Sequence, residues 1–288
     1  MIGQGRATRI LLAVWAVLIM LFLFVPIAII ILYAFNPSNV QSWPLEGLST
    51  KWFSITWHNA EMRQALWLSV RAGVFATAIA MALGTMAAFA VHRFRFFGRE
   101  AVSFLLVLPI ALPGIITGMA LNSFISFNGV NFSLLTIVIG HATFCIVTIY
   151  NNVLARLRRT QGSLVEASMD LGADGWQTFR FVTWPMIATA LVAGGLLAFA
   201  LSFDEIVVTT FTAGTQSTLP IWIFGNIRLG QQLPQVNVVA LFVIVLSVIP
   251  VTLAQRLTRD TGVLRTGKAV GPDAPAGAVA ASEAGAAA

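Results

Sequence analysis

Residues 160–186, TQGSLVEASMDLGADGWQTFRFVTWPM, are a polar, punctuated stretch set between two long apolar runs. Ser163 followed by Glu166 has the spacing of a capping box, and Gly172 stands where a helix commonly ends in a left-handed residue. The pattern predicts a helix of about two turns over 164–171. On it Leu164, Ala167, Ser168 and Leu171 fall at i, i+3, i+4 and i+7, a single small-to-apolar stripe. Asp174 and Gln177 repeat the cap spacing and open a second short helix, and Pro185 marks entry to the next apolar run. So short a helix is marginal alone in water. It has to be held by docking, either onto its own bundle or into another protein.

Outward from this stretch the chain is overwhelmingly apolar. Of its 288 residues, 58% are hydrophobic and only 10% charged, and the mean hydropathy is +0.85. A soluble domain carries about a quarter charged residues, so the composition is that of an integral membrane protein. Runs long enough to cross a bilayer, about 20 residues each, fall near 10–34, 65–91, 101–126, 133–154, 187–210 and 236–255. Each is a continuous run of Leu, Ile, Val, Ala and Phe rather than a strand-like alternation, so the expected fold is all-α with six transmembrane helices. The first run follows Arg6 and Arg9 as a signal peptide would, but it is too long and has no small-residue cleavage site, so it reads as a retained helix.

Orientation follows from the basic residues. Arg6, Arg9, Arg93, Arg95, Arg99, Arg156, Arg158, Arg159, Arg180, Arg256, Arg259, Arg265 and Lys268 fall on one side, against Lys51, Arg63, Arg71 and Arg228 on the other. The excess places both termini, and the 160–186 loop, in the cytoplasm. Residues 1–9 are then a cytoplasmic N-terminus, 10–258 the membrane domain, and 259–288, rich in Gly, Ala, Pro and Ser, a cytoplasmic tail expected to be disordered. Two external loops remain, roughly 36–64 and 212–235. The first holds Trp43, Trp52, Phe53 and Trp57 and suggests an interfacial lid or short helix rather than a cage for a cation.

Several function classes drop out. The net charge of +6 resides in clusters at helix ends, where anionic lipid attracts them, and does not indicate nucleic-acid binding. His141 and Cys145 lie one helical turn apart, but two ligands do not make a tetrahedral metal site, and His58 and His92 sit in other segments. They read as buried packing residues, and no metal or cofactor is expected. Cys145 is the single cysteine, so no intrachain disulfide can form. Gly262 to Lys268 nearly spells a phosphate-binding loop, but Ala269 replaces the magnesium-binding hydroxyl and no strand precedes it, which makes it a chance match. No arrangement for nucleophilic chemistry stands out.

Asp204 and Glu205 demand a reason, because carboxylates in the outer half of an apolar span are costly and usually face a bundle interior or a water-filled cavity. Two readings stand: a place on a translocation pathway favouring a multiply protonated amine, with Asp204 the stronger candidate, or an ion pair with Arg71. Pro109 and Pro113 in the third span, and Gly194 and Gly195 in the fifth, allow a kink or a close helix approach.

Glu166-Ala167-Ser168, three residues, Gly172, nine residues, then Val182-Thr183-Trp184-Pro185 resembles the EAA loop of bacterial binding-protein-dependent ABC importer permeases. Ser168, Val182 and Trp184 depart from that pattern; the glutamate, glycine and proline do not. Residues 47–53 (GLSTKWF), 108–118 (LPIALPGIITG) and 197–214 (LAFALSFDEIVVTTFTAG) extend the resemblance to the spermidine/putrescine-type permeases, over about residues 7–258. The resemblance implies a type I ABC importer permease with the MetI-like fold, in a bacterial inner membrane. It further implies a coupling helix carrying Leu164, Glu166, Ala167, Ser168, Leu171 and Gly172, seated on a cytoplasmic ATPase dimer. A second homologous permease and a periplasmic solute-binding protein would be the other partners, and a polyamine or another small solute the cargo. Hydrolysis would belong to the ATPase, so the chain is expected to be no enzyme. A secondary transporter is the outlying alternative, and no internal repeat supports it.

Overall fold

The computed structural model describes residues 6–160 and 162–259. The expectation of a disordered tail and the chance phosphate-loop match both lie outside them. Among the described residues every regular element is helical. The first apolar run is α1 (Arg6–Ala34), followed by the short α2 (Lys51–His58) and the long α3 (Ala60–Arg93). The third run divides into α4 (Arg99–Ala111) and α5 (Gly114–Phe127), and α6 (Leu134–Arg159) is the fourth. The polar stretch supplies α7 (Gly162–Asp170) and α8 (Gly175–Thr178) and passes through a π-helical turn, Phe179–Thr183, into α9 (Trp184–Phe203). The short α10 (Val207–Thr212), α11 (Leu219–Leu229) and α12 (Leu233–Arg259) follow.

The centre of the bundle is α3, α6 and α9, each packed on the other two. On α3 the inward face reads Ala72, Ala76, Ala80, Gly84 and Ala88, one small residue per turn, all buried. In a bilayer lipid tails are as apolar as leucine, so helices associate by close packing rather than by expelling water, and small residues permit it. Gly84 shows how close: a Cβ there would stand 2.8 Å from the Ile146 carbonyl oxygen. Gly194 and Gly195 do the same on α9, against Ile149 and Asn152 on one side and Met81 on the other. Ile149, Tyr150, Val153 and Ile187 fill the space this leaves. Large apolar side chains lie outside instead, along nearly all of α1, which packs chiefly on α12.

The expected spans need three corrections. The third is not one helix: α4 and α5 meet at 104°. Pro113 lacks an amide hydrogen and pushes the preceding Leu112 into extended geometry (φ −79°, ψ 143°), ending α4 there, whereas Pro109 is accommodated inside α4. The fifth begins earlier and ends earlier than 187–210. Its helix runs unbroken from Gly175, because the π turn lets the Trp184 amide bond the Phe179 carbonyl and absorbs Pro185; it stops at Phe203. The segment 212–235, expected to be a loop, contains the helix α11. Pro220 and Pro234 each fall in the first turn of a helix, where a missing amide costs nothing, so they start helices rather than break them.

In the segment 36–64, α2 is the expected short helix. Phe53 packs between Phe35 and Phe242, and the Trp52 indole donates to the Asn36 carbonyl at 3.0 Å.

Candidate functional site: a docking loop and a broken helix

At the end of α6, the extended Thr160 closes the membrane helix and helical geometry resumes at Gly162. The start predicted from Ser163, residue 164, is therefore late by two residues, and Ser163 lies inside the first turn. The end is as expected. Gly172 has φ +87°; its amide bonds the Met169 carbonyl (2.9 Å), and the Ala173 amide bonds Ser168 (3.1 Å), a complete Schellman motif. Two residues on, the Gln177 amide donates to the Asp174 carboxylate (2.8 Å) and the Gln177 side chain accepts from the Asp174 amide (3.0 Å). Both ends of this turn are thus closed by the segment's own residues.

That self-sufficiency frees the outer face. No residue of α7 is buried. Ser168 is half-buried, its hydroxyl 3.1 Å from that of Thr178, and Val165 lies beside it on the inner side. Leu164, Glu166, Ala167 and Gly172 are exposed, and Leu171 is 90% exposed. The predicted stripe therefore does not pack on its own bundle: only Ser168 does. Sequence reading did not single out Trp176, Phe181 and the π turn, yet these extend the exposed apolar surface along α8. Trp176 stacks on Phe179 and Phe179 meets Phe89 of α3 edge-on, which fastens this surface to the bundle.

At the opposite end of α9 the helix breaks. Asp204 takes the last helical bond, its amide to Ala200 (3.2 Å), and α10 resumes at Val207. The two carboxylates therefore occupy a break and not a continuous span, and they differ. Glu205 is engaged: its Oε1 accepts the Val208 amide at 2.9 Å and caps α10. Asp204 is exposed and lines a cleft of about 690 Å³ with Phe199, Phe203, Phe224 and Ile227, between α9, α11 and α12. Arg71 lies in the twelfth position of α3 and lines a separate cavity with Glu61, Trp67 and Gln216, its guanidinium 5.9 Å from the Trp67 ring centre.

The break is also tied from behind. His141, fully buried on α6, has Nδ1 2.7 Å from Ser202 Oγ and Nε2 2.7 Å from Thr209 Oγ1. Thr136 donates to the Thr212 carbonyl (2.8 Å), and Asn122 on α5 donates to the Phe211 carbonyl (2.7 Å). Gly118 faces the Phe211 ring so closely that a Cβ would stand 2.5 Å from it. As the sequence suggested, His141 and Cys145 are packing residues, Cys145 donating to the Ala198 carbonyl at 3.3 Å; that His141 bridges the break was not legible, since nothing in the sequence spacing brings residues 141, 202 and 209 together.

Residues 80–262 match the family described as "binding-protein-dependent transport system inner membrane component". The chain belongs to that family. It is a membrane-embedded, multi-pass permease component of a transport system rather than an enzyme. The permease is 31% identical over 262 residues to the spermidine/putrescine transport system permease protein PotC of Escherichia coli K12, covering 90% of this chain and 96% of that one. It is 35% identical over 243 residues to the putrescine transport system permease protein PotI of the same organism, covering 80% and 85%. Among solved structures its fold is similar to a bacterial ABC transporter involved in the import of alginate, with a TM-score of 0.62, 18% identity, and coverage of 90% of this chain and 99% of that one.

Proposed function

We propose that this permease is the membrane subunit of an ATP-driven, binding-protein-dependent importer of polyamines, coupled to its motor through α7. The observation that carries this is the rigidly capped, outward-facing α7. Its turn is locked by Gly172 and Asp174, it buries nothing of its own, and it offers Leu164, Glu166, Ala167 and Leu171 to another molecule. An exposed apolar helix at the end of a membrane bundle fits a groove in a partner. The partner in this reading is a cytoplasmic ATPase dimer, so the loop and both termini face the cytoplasm, in accord with the distribution of Arg and Lys. A second homologous permease and a periplasmic solute-binding protein complete the assembly, as the family description's dependence on a binding protein suggests.

The cargo assignment draws on PotC and PotI, whose names specify spermidine and putrescine. It is supported by Asp204, an exposed carboxylate in a cleft walled by Phe199, Phe203 and Phe224. A carboxylate attracts one ammonium group, and aromatic faces favour cations and alkyl chains alike. The role of Glu205 is to shape α10, and only through it the pathway.

The test is uptake of labelled putrescine and spermidine into vesicles holding the reconstituted complex, with and without ATP and the binding protein. ATP-dependent uptake of either is expected. ATPase stimulation by the binding protein without polyamine uptake would retain the importer and discard the cargo; solute movement with no ATPase would overturn the role of α7.

A further inference from the structure

The hydrogen bonds around His141 have a direction. Thr209 Oγ1 uses its one proton on the Glu205 carbonyl, at 2.7 Å, so toward His141 it can only accept. Nε2 must therefore carry a proton and donate to Thr209. A neutral imidazole has one donor and one acceptor, and a buried unpaired charge is costly, so Nδ1 accepts from the Ser202 hydroxyl. The chain of bonds runs Ser202 to His141 to Thr209 to the Glu205 carbonyl. Ser202 is in the last turn of α9, Thr209 in the first turns of α10, and Glu205 between them. One side chain from a third helix thus holds both sides of the break, and Thr209 in turn holds a carbonyl within it.

The remaining ties of α10 sit at its far end, on Phe211 and Thr212. At its near end, among the described residues, the side-chain hydrogen bonds that set the angle to α9 are the Glu205 cap and the His141 bridge, beside the apolar packing of Val207 on Gly114 and Val208 on Gly140. Asp204 closes α9 two residues after Ser202, its amide on the Ala200 carbonyl, and among the described residues its side chain makes no hydrogen bond, so its place at the cleft follows the end of α9 that His141 holds through Ser202.

We infer that His141 is a positioning residue for transport: it sets the angle of the α9–α10 break and thereby holds the Asp204 carboxylate at the cleft. The inference about the break is independent of cargo; the link to transport rests on the pathway reading of Asp204.

The experiment is hydrogen–deuterium exchange on the full chain in lipid nanodiscs, paired with uptake kinetics in the reconstituted complex. His141→Leu removes both ends of the bridge, and Thr209→Val removes one end with almost no change of shape, which keeps the test open should the first variant fold poorly. Loss of one or two neutral hydrogen bonds is expected to quicken exchange of the 207–212 amides by about tenfold, while those of the α3, α6 and α9 interior stay unchanged. His141→Gln, which retains one donor and one acceptor, is expected to recover most of the protection. In uptake, His141→Leu should raise KM more than it lowers the maximal rate. Unchanged exchange at 207–212 in both variants, or uniform quickening through the whole bundle, would overturn the inference. So would faster exchange with KM unmoved when Asp204→Asn does move it. If neither His141→Leu nor Asp204→Asn affects uptake while exchange quickens locally, the bridge stands and the pathway reading of Asp204 fails.

Discussion

The two ends of the fifth apolar helix are built by opposite means. At its first end, α7 and α8 are shaped by bonds between residues three to five apart: Gly172 to Met169, Ala173 to Ser168, Gln177 to Asp174. At the other end, the break after Phe203 is shaped largely by partners 61 and 68 residues away through His141, and 89 residues away through Asn122. A surface that must meet another molecule has to hold its form without that molecule, so local caps suit it. A bend inside a bundle can borrow its form from neighbouring helices. Disrupting the first should therefore spare the bundle, and disrupting the second should be felt in the bundle.

The sharpest way to break this contrast is Gly172→Pro. Proline fixes φ near −65°, opposite in sign to the +87° observed, and removes the amide that bonds Met169. ATP-dependent uptake should fall to background while membrane insertion and the thermal stability of the bundle remain, as read by protease protection and melting in detergent; full coupling in this variant would remove α7 from the mechanism. Next in size is Asp204→Asn, which keeps the side chain's volume and deletes its charge. Polyamine uptake should drop about tenfold or more, on the order of 1.4 kcal/mol, with ATPase assembly unaltered by co-purification.

A smaller effect is expected from Leu171→Ala. Because Leu171 is 90% exposed, folding should change by no more than about 0.5 kcal/mol, and a severalfold loss of binding-protein-stimulated ATPase activity would then report lost docking rather than lost structure. The smallest is Glu205→Gln, which retains an acceptor for the Val208 amide. Uptake should stay within about threefold of the parent, since a neutral acceptor replaces a charge-assisted one; a loss as large as that of Asp204→Asn would show the Glu205 charge itself to be needed.

Composition alone settled the solvent: a chain so apolar, with basic residues gathered on one side, has to be a helical membrane protein, because only helices satisfy their own backbone in lipid when strand alternation is lacking. The end of α7 and the start of α8 were legible too, through Gly172 and the Asp174–Gln177 pair, since caps depend on neighbours in sequence. Tertiary structure alone decided the rest. It split the third span at Pro113 by 104°, where a kink and a full break look alike in sequence. It ended α9 at Phe203, divided Asp204 from Glu205 in role, and brought His141 between Ser202 and Thr209. The physical reason is range: a cap is a bond within one turn of chain, whereas a bend between helices is held by side chains that only the folded bundle brings together.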